Sequence, residues 1–180
     1  PRSMGSLYWQ LNDAWTSISW SSIDYYGNKK AFHYKLSEMY APILLGMDEK
    51  ENGKYNIWVS NDLQRDIKGR IRVLVEDMKG NQMFAFSEVV DIKANDCYRL
   101  PENIKINVSK KKRTECYARI ILMEEDTVLS ERLHFFAYPK DLKLVKTELE
   151  PKVTFADGKY TLEFNSKVFV KDVFVSTTEA

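Results

Sequence analysis

The chain has 180 residues, of which 44% are hydrophobic and 13% aromatic, enough apolar material for one large packed domain or two small ones. Its 27 Lys and Arg nearly cancel 26 Asp and Glu, giving a formal charge of +1, so no overall field draws it to nucleic acid or to an anionic membrane. No apolar run approaches the roughly 20 residues of a membrane span, and the opening Pro1-Arg2-Ser3-Met4 has none of the regions of a signal peptide.

The first segment, Leu7-Tyr8-Trp9-Gln10-Leu11-Asn12-Asp13 followed by Ala14-Trp15, crowds two tryptophans and three polar groups onto the end of a short expected strand, residues 7–11. An indole offers a flat apolar face to the C–H side of a pyranose, while amides and carboxylates can bond its hydroxyls. Trp9, Asn12 and Asp13 are therefore candidate sugar-binding residues. The alternatives are that Trp9 fills a core and that Asn12 and Asp13 make a turn or cap a helix. Asn28 is expected to cap a helix from about Lys29, with Ala31, Phe32, Leu36, Met39 and Tyr40 on its apolar face and Pro42 ending it. Strand, loop and helix make one β-loop-α step over residues 1–42.

Beyond Pro42 the pattern becomes period two. Tyr55, Ile57 and Val59, then Ile71, Val73 and Val75, then Cys116, Ala118, Ile120 and Leu122 alternate with more polar neighbours, as half-buried strands do. Turn signals stand at Glu51-Asn52-Gly53, Lys79-Gly80-Asn81, Ala94-Asn95-Asp96 and Glu124-Glu125-Asp126, a spacing that predicts an antiparallel, immunoglobulin-like sandwich of about seven strands over residues 43–138. After Pro139-Lys140-Asp141 a hairpin is expected with Asp157-Gly158 at its tip. Val153 and Phe155 should face Tyr160, Leu162 and Phe164 across it, and residues 168–176 should form a further strand. These few strands do not close a sandwich, so residues 139–180 read either as strands added to the preceding domain or as the truncated start of a second one.

Three stretches carry a family resemblance. They are Gly5-Ser6-Leu7-Tyr8-Trp9-Gln10-Leu11-Asn12-Asp13-Ala14-Trp15, then Ser19-Trp20-Ser21-Ser22-Ile23-Asp24-Tyr25-Tyr26-Gly27, then Lys30-Ala31-Phe32-His33-Tyr34 with Tyr40-Ala41-Pro42. They resemble the β-mannosidases of glycoside hydrolase family two over about the first quarter of the chain; the downstream order of β domains is similar at a weaker level. The resemblance implies that residues 1–42 are the last β-loop-α unit of a (β/α)₈ catalytic barrel, followed by an accessory sandwich and part of another. It implies a retaining, exo-acting enzyme that removes terminal β-D-mannose with two glutamates about 5 to 5.5 Å apart. Both would lie on earlier barrel strands: no Glu precedes Glu38 here, so no catalytic residue is assigned within the chain and the fragment is expected to be inactive. Trp9 matches the aromatic floor that such enzymes place at the carboxyl end of the last strand. The resemblance also favours an extracytoplasmic location, lysosomal in an animal.

The remaining candidates are weaker. Trp15 and Trp20 line outer subsites or pack their loop against its neighbours. His33 and His134 sit on separate elements with no sign of converging. The run Lys110-Lys111-Lys112-Arg113 has no interleaved aromatics and reads as a solvated hairpin tip, not a nucleic-acid site. Asn107-Val108-Ser109 fits a glycosylation acceptor. Cys97 and Cys116 lack metal-site spacing and read as buried free thiols unless their strands are neighbours. No phosphate loop, metal cluster or serine nucleophile elbow indicates a cofactor. A second functional class is a non-catalytic glycan-binding module whose platform would be Trp58, Tyr55 and Tyr117; the burial of Trp58 separates the two. The terminal pieces cannot bury enough surface alone, so the first strand and helix are expected to dock on the sandwich or on another copy of the chain, pairing through the open strand.

Overall fold

The computed structural model describes residues 5–50, 54–101, 104 and 106–175. Among these residues nine strands and one α-helix follow in order: α1 (Ala31–Met39), β1 (Ile43–Glu49), β2 (Tyr55–Asn61), β3 (Ile67–Asp77), β4 (Gln82–Ile92), β5 (Asp96–Arg99), β6 (Cys116–Glu124), β7 (Thr127–Phe135), β8 (Lys152–Ala156) and β9 (Lys159–Glu163). The protein is mainly β, as its period-two runs require.

The first seven strands form two antiparallel sheets, ordered β1-β2-β5 and β4-β3-β6-β7. This is an immunoglobulin-like sandwich in which the fourth strand pairs with the third, so that one sheet holds three strands and the other four. Strict alternation places the inner residues: Tyr55, Ile57 and Val59 of β2 are buried while Asn56, Trp58 and Ser60 are not fully so. Opposite them stand Ile71, Val73 and Val75 of β3 and Cys116, Ala118, Ile120 and Leu122 of β6, all essentially without solvent contact. A fully buried Leu, Ile or Val contributes about 1.5–3 kcal/mol each, and eleven such side chains lie within residues 43–135. In α1 only Leu36 is buried, so the sandwich carries the stability and the first segment borrows it.

The turns follow their sequence signals. Between β3 and β4 the Asp77 carboxylate accepts the backbone N–H groups of Lys79 and Asn81, each at 2.9 Å, and Gly80 takes φ +83°. Asn95 and Glu125 occupy left-handed positions at φ 54° and 52°. The expected turn at Glu51-Asn52-Gly53 lies outside the described residues. Asn61, which the sequence did not single out, is completely buried. It is satisfied on both sides: Nδ2 donates to the Arg65 and Lys93 carbonyls at 3.0 and 2.9 Å, and Oδ1 accepts Leu63 N–H at 3.1 Å. It ties the turn after β2 to the turn after β4, as buried amides do when every polar atom finds a partner.

Three expectations are corrected. Residues 7–11 are not a strand; only single bridges join Asn12 to Ile23 and Ile23 to Lys29. An isolated strand leaves its backbone groups unpaired, and among the described residues no neighbouring strand lies beside this one. Asn28 does not cap α1: its side chain donates to Asp24 Oδ2 at 2.9 Å, and Lys30 holds the N-cap position without a side-chain cap. Finally, residues 168–175 form no strand. Instead, Phe169 N–H donates to the Met78 carbonyl at 3.0 Å and the Phe169 ring lies 4.2 Å from that of Tyr117, covering the outer face of the four-stranded sheet.

The helix docks, as expected. Arg132 of β7 meets Glu38 at 3.7 Å, and Tyr34 packs edge-on against Phe174 at 5.9 Å. The β8–β9 hairpin turns at Asp157 and Gly158, with φ 50° and 73°, the type I′ geometry that Asp-Gly favours. No helix among the described residues is long and apolar enough to cross a membrane.

Candidate functional site

Residues 5–30 are a loop organised around one carboxylate. Ile23 N–H donates to the Leu11 carbonyl at 2.9 Å, Asp13 N–H to the Ile23 carbonyl at 3.1 Å, and Lys30 N–H to the Ser22 carbonyl at 2.9 Å. These bonds bring the ends of the 14–20 excursion together. Inside the closure lies Asp13, whose side chain is 4% exposed. Its Oδ1 accepts the Ser19 hydroxyl, and Oδ2 accepts Lys30 Nζ at 2.9 Å. Lys30 also donates to Ser21 Oγ at 2.7 Å. The hydrogen bonds from Ser19 and Lys30 hold the Asp13 carboxyl below the ordinary carboxylate range. Asp13 is thus an internal clamp with both oxygens occupied.

The clamp leaves the indoles outside. Trp9, Trp15 and Trp20 are 78%, 72% and 70% exposed, so the expectation that Trp15 and Trp20 pack their loop against its neighbours is not met. Three exposed tryptophans on one ordered loop exceed what scattered surface apolar residues explain. The Trp9–Gln10 peptide is cis. Asn12 is exposed beside them; its Nδ2 donates to the Asp13 carbonyl at 3.1 Å and its own carbonyl accepts Gln10 Nε2 at 2.7 Å. The structure therefore brings Trp9 and Asn12 to the surface of one loop and draws Asp13 beneath it.

The alternative platform does not form. Tyr55 is 3% exposed and lies in the core, edge-on to Phe136 at 5.6 Å. Tyr117 is buried under Phe169 on the other sheet, where its hydroxyl donates to Glu76 at 2.8 Å. Trp58 is half-buried on the outer face of the three-stranded sheet, its Nε1–H on Asp48 Oδ2 at 2.9 Å, in a groove of about 440 Å³ shared with Met39, Tyr138 and Pro139. Period two had already put Tyr55 and Trp58 on opposite faces. The three rings share no surface.

The lesser candidates also resolve. His33 Nδ1 approaches Ser22 Oγ at 3.4 Å, while His134 packs edge-on against Tyr55 and Phe136 and burial lowers its basicity. Cys97 is exposed, against expectation, and Cys116 is buried; both are free, one at the surface and the other in the core. Burial pushes the Cys116 thiol up to about 11. Of the basic run, Arg113 is not a solvated charge: it pairs with Glu49 and reaches the Tyr55 hydroxyl at 3.4 Å. Among the described residues no cluster of acidic, His and Cys side chains could hold a metal. Lys30, the cation on which the loop closes, was missed; its only sequence signal was its place in the third family-like stretch.

Residues 53–141 match the mannosidase Ig/CBM-like domain family. The chain is 26% identical to β-mannosidase A of Aspergillus oryzae over 93% of its own length and 20% of that enzyme's. It is 29% identical to β-mannosidase A of Emericella nidulans, over 93% and 19%, and 26% identical to the β-mannosidase of Rattus norvegicus, over 96% and 20%. It spans about a fifth of the length of these relatives. Among solved structures, a Bacteroides uniformis β-glucuronidase aligns with a TM-score of 0.34 and 11% identity over 67% of this chain and 14% of its own, too low to bear on the reading. Over residues 53–141 the chain is thus similar to the mannosidase Ig/CBM-like domain family, and over more than nine-tenths of its length it is similar to β-mannosidases of fungi and rat.

Proposed function

We propose that the chain is the carboxyl-terminal part of a retaining, exo-acting β-mannosidase that hydrolyses terminal β-D-mannose residues, and that it supplies one wall of the sugar site together with accessory β domains. The observation that carries this is the exposed Trp9 ring on a clamped loop, in a chain whose curated relatives are β-mannosidases. Residues 1–42 are read as the closing β-loop-α unit of a (β/α)₈ barrel, residues 43–138 as a bracing sandwich, and residues 139–180 as the start of a further β domain.

In this reading Trp9 is the apolar floor under the reacting mannose. Asn12 offers its side-chain amide to a sugar hydroxyl, and Asp13 acts as a positioning residue, since Ser19 and Lys30 already occupy its carboxylate. The chemistry belongs to two glutamates elsewhere in the enzyme. One attacks the anomeric carbon as the glycosidic C–O bond breaks. The other protonates the leaving oxygen, then deprotonates the water that releases mannose with retained configuration. This chain contributes no catalytic residue.

The test has two arms. The 180-residue chain should not turn over an aryl β-mannoside. In the intact enzyme Trp9→Ala should lower kcat/KM by roughly tenfold or more, about 1.4 kcal/mol of lost stacking in the transition state, while Trp9→Phe retains part of it. Turnover by the chain alone, or unchanged kinetics in Trp9→Ala, would overturn the assignment.

A further inference from the structure

Ser22 is completely buried, and each of its polar groups is engaged by the loop of residues 5–30 or by α1. Its N–H is shared between the Gln10 and Leu11 carbonyls, each at 3.2 Å, and its carbonyl accepts the Lys30 N–H at 2.9 Å. Its hydroxyl donates to the Leu11 carbonyl at 2.9 Å. With that proton spent, Oγ can only accept: the Tyr8 hydroxyl donates to it at 3.3 Å, and His33 Nδ1 lies 3.4 Å away. A serine hydroxyl has one proton to give and two lone pairs to offer, so Ser22 is used to capacity.

These contacts straddle Trp9. Tyr8, just before it, is tied to Ser22 through its hydroxyl; Gln10, just after it, is tied through its carbonyl; and Leu11 carries the grip on to Asn12. The Tyr8 ring also meets Phe32 of α1 edge-on at 5.7 Å, which roots the arrangement in the helix. The indole points out of the loop, so its direction and its distance from Asn12 are set by the backbone on either side. The neighbouring Ser21 serves the Asp13 clamp instead, accepting Lys30 Nζ and donating to the Ile23 carbonyl at 2.9 Å. Two adjacent serines thus divide the loop, one closing it and the other aiming its tryptophan.

We propose, on the reading of Trp9 and Asn12 as one wall of the sugar site, that Ser22 is a positioning residue for that wall: it fixes Trp9 relative to Asn12 before the mannose arrives. A side chain already held in its working geometry loses little further freedom when the substrate binds or reacts. Alanine fits the space of Ser22 but gives up the bonds to the Leu11 carbonyl and the Tyr8 hydroxyl. The backbone bonds of residue 22 remain, so the loop loosens around Trp9 without unfolding.

In the 180-residue chain Ser22→Ala should raise hydrogen exchange about fivefold at the Ile23 amide, which shares the Leu11 carbonyl at 2.9 Å. Exchange in β3 and β6 and the circular dichroism should not change. In the intact enzyme the substitution should lower kcat/KM for an aryl β-mannoside by about fivefold. A Trp9→Ala background separates positioning from a merely structural loss: with no indole to aim, Ser22→Ala should cost less than about twofold more. Unchanged exchange at Ile23, unchanged kinetics, or a loss as large without Trp9 as with it would overturn the role of Ser22 and leave Trp9 as the floor. A Trp9→Ala enzyme as active as the parent would instead overturn the reading of the wall, and the role of Ser22 with it.

Discussion

Replacing Gly46 with alanine should unseat Trp58, and the size of the effect can be worked from the sheet. Gly46 of β1 lies directly opposite Trp58 of β2, and a Cβ there would fall 2.1 Å from Cζ2, 2.2 Å from Cε2 and 2.7 Å from Nε1 of the indole. Carbon atoms pack at about 3.5–4.0 Å, so the ring must retreat by roughly 1.5 Å and surrender its hydrogen bond to Asp48. Overpacking costs about 1–3 kcal/mol and the lost bond about 1 kcal/mol, offset by about 0.5–1 kcal/mol from replacing a flexible glycine within a strand. The net loss is about 2 kcal/mol. Urea denaturation followed by circular dichroism measures it, and a cycle with Trp58→Ala isolates its cause. With the indole gone, Gly46→Ala should be neutral or stabilising by about 0.5 kcal/mol. If Gly46→Ala costs the same with and without the ring, the argument from close approach is wrong.

Gly69→Ala should cost more than Gly46→Ala and resist rescue by any side-chain truncation, because its Cβ would meet the Met123 backbone carbonyl at 2.2 Å; equal costs in urea melts would contradict this. A thiol-specific disulfide reagent should label Cys97 rapidly and Cys116 only on unfolding, since Cys116 is buried with its thiol raised to about 11; two fast thiols would refute the burial. The Asp13 carboxyl titrates lower in the folded chain than its ordinary 3.8. Its contribution is therefore fully present above that value and is lost as pH falls through the lowered one. Hydrogen-exchange protection of the Ile23 and Lys30 amides should drop across that window, and Asp13→Asn should lower it at neutral pH and flatten the dependence. A variant with unchanged protection would show that Asp13 does not close the loop.

Much of the sandwich was legible in the sequence because a half-buried strand writes its own environment. Alternation at Tyr55, Ile57 and Val59, and at Cys116, Ala118, Ile120 and Leu122, fixed which side chains face the core, and Asp-Gly and Lys-Gly-Asn turns fixed where strands reverse. The same alternation already separated Tyr55 from Trp58. For the candidate site, the residue types were legible and their arrangement was not: Trp9, Asn12 and Asp13 lie close in sequence, yet two reach the surface and one lies beneath it.

Tertiary structure alone decided the rest, for reasons that no local pattern contains. Whether residues 7–11 become a strand depends on a neighbouring strand, because backbone groups must find partners. Asn28 had a competitor for its capping role, the Asp24 carboxylate four residues back. The burial of Asp13 rests on Lys30, 17 residues away, and that of Tyr117 on Phe169, supplied by a segment read as a strand. Periodicity and turn chemistry are written in neighbours along the chain, whereas pairing, capping competition and charge burial are settled by groups that only folding brings together.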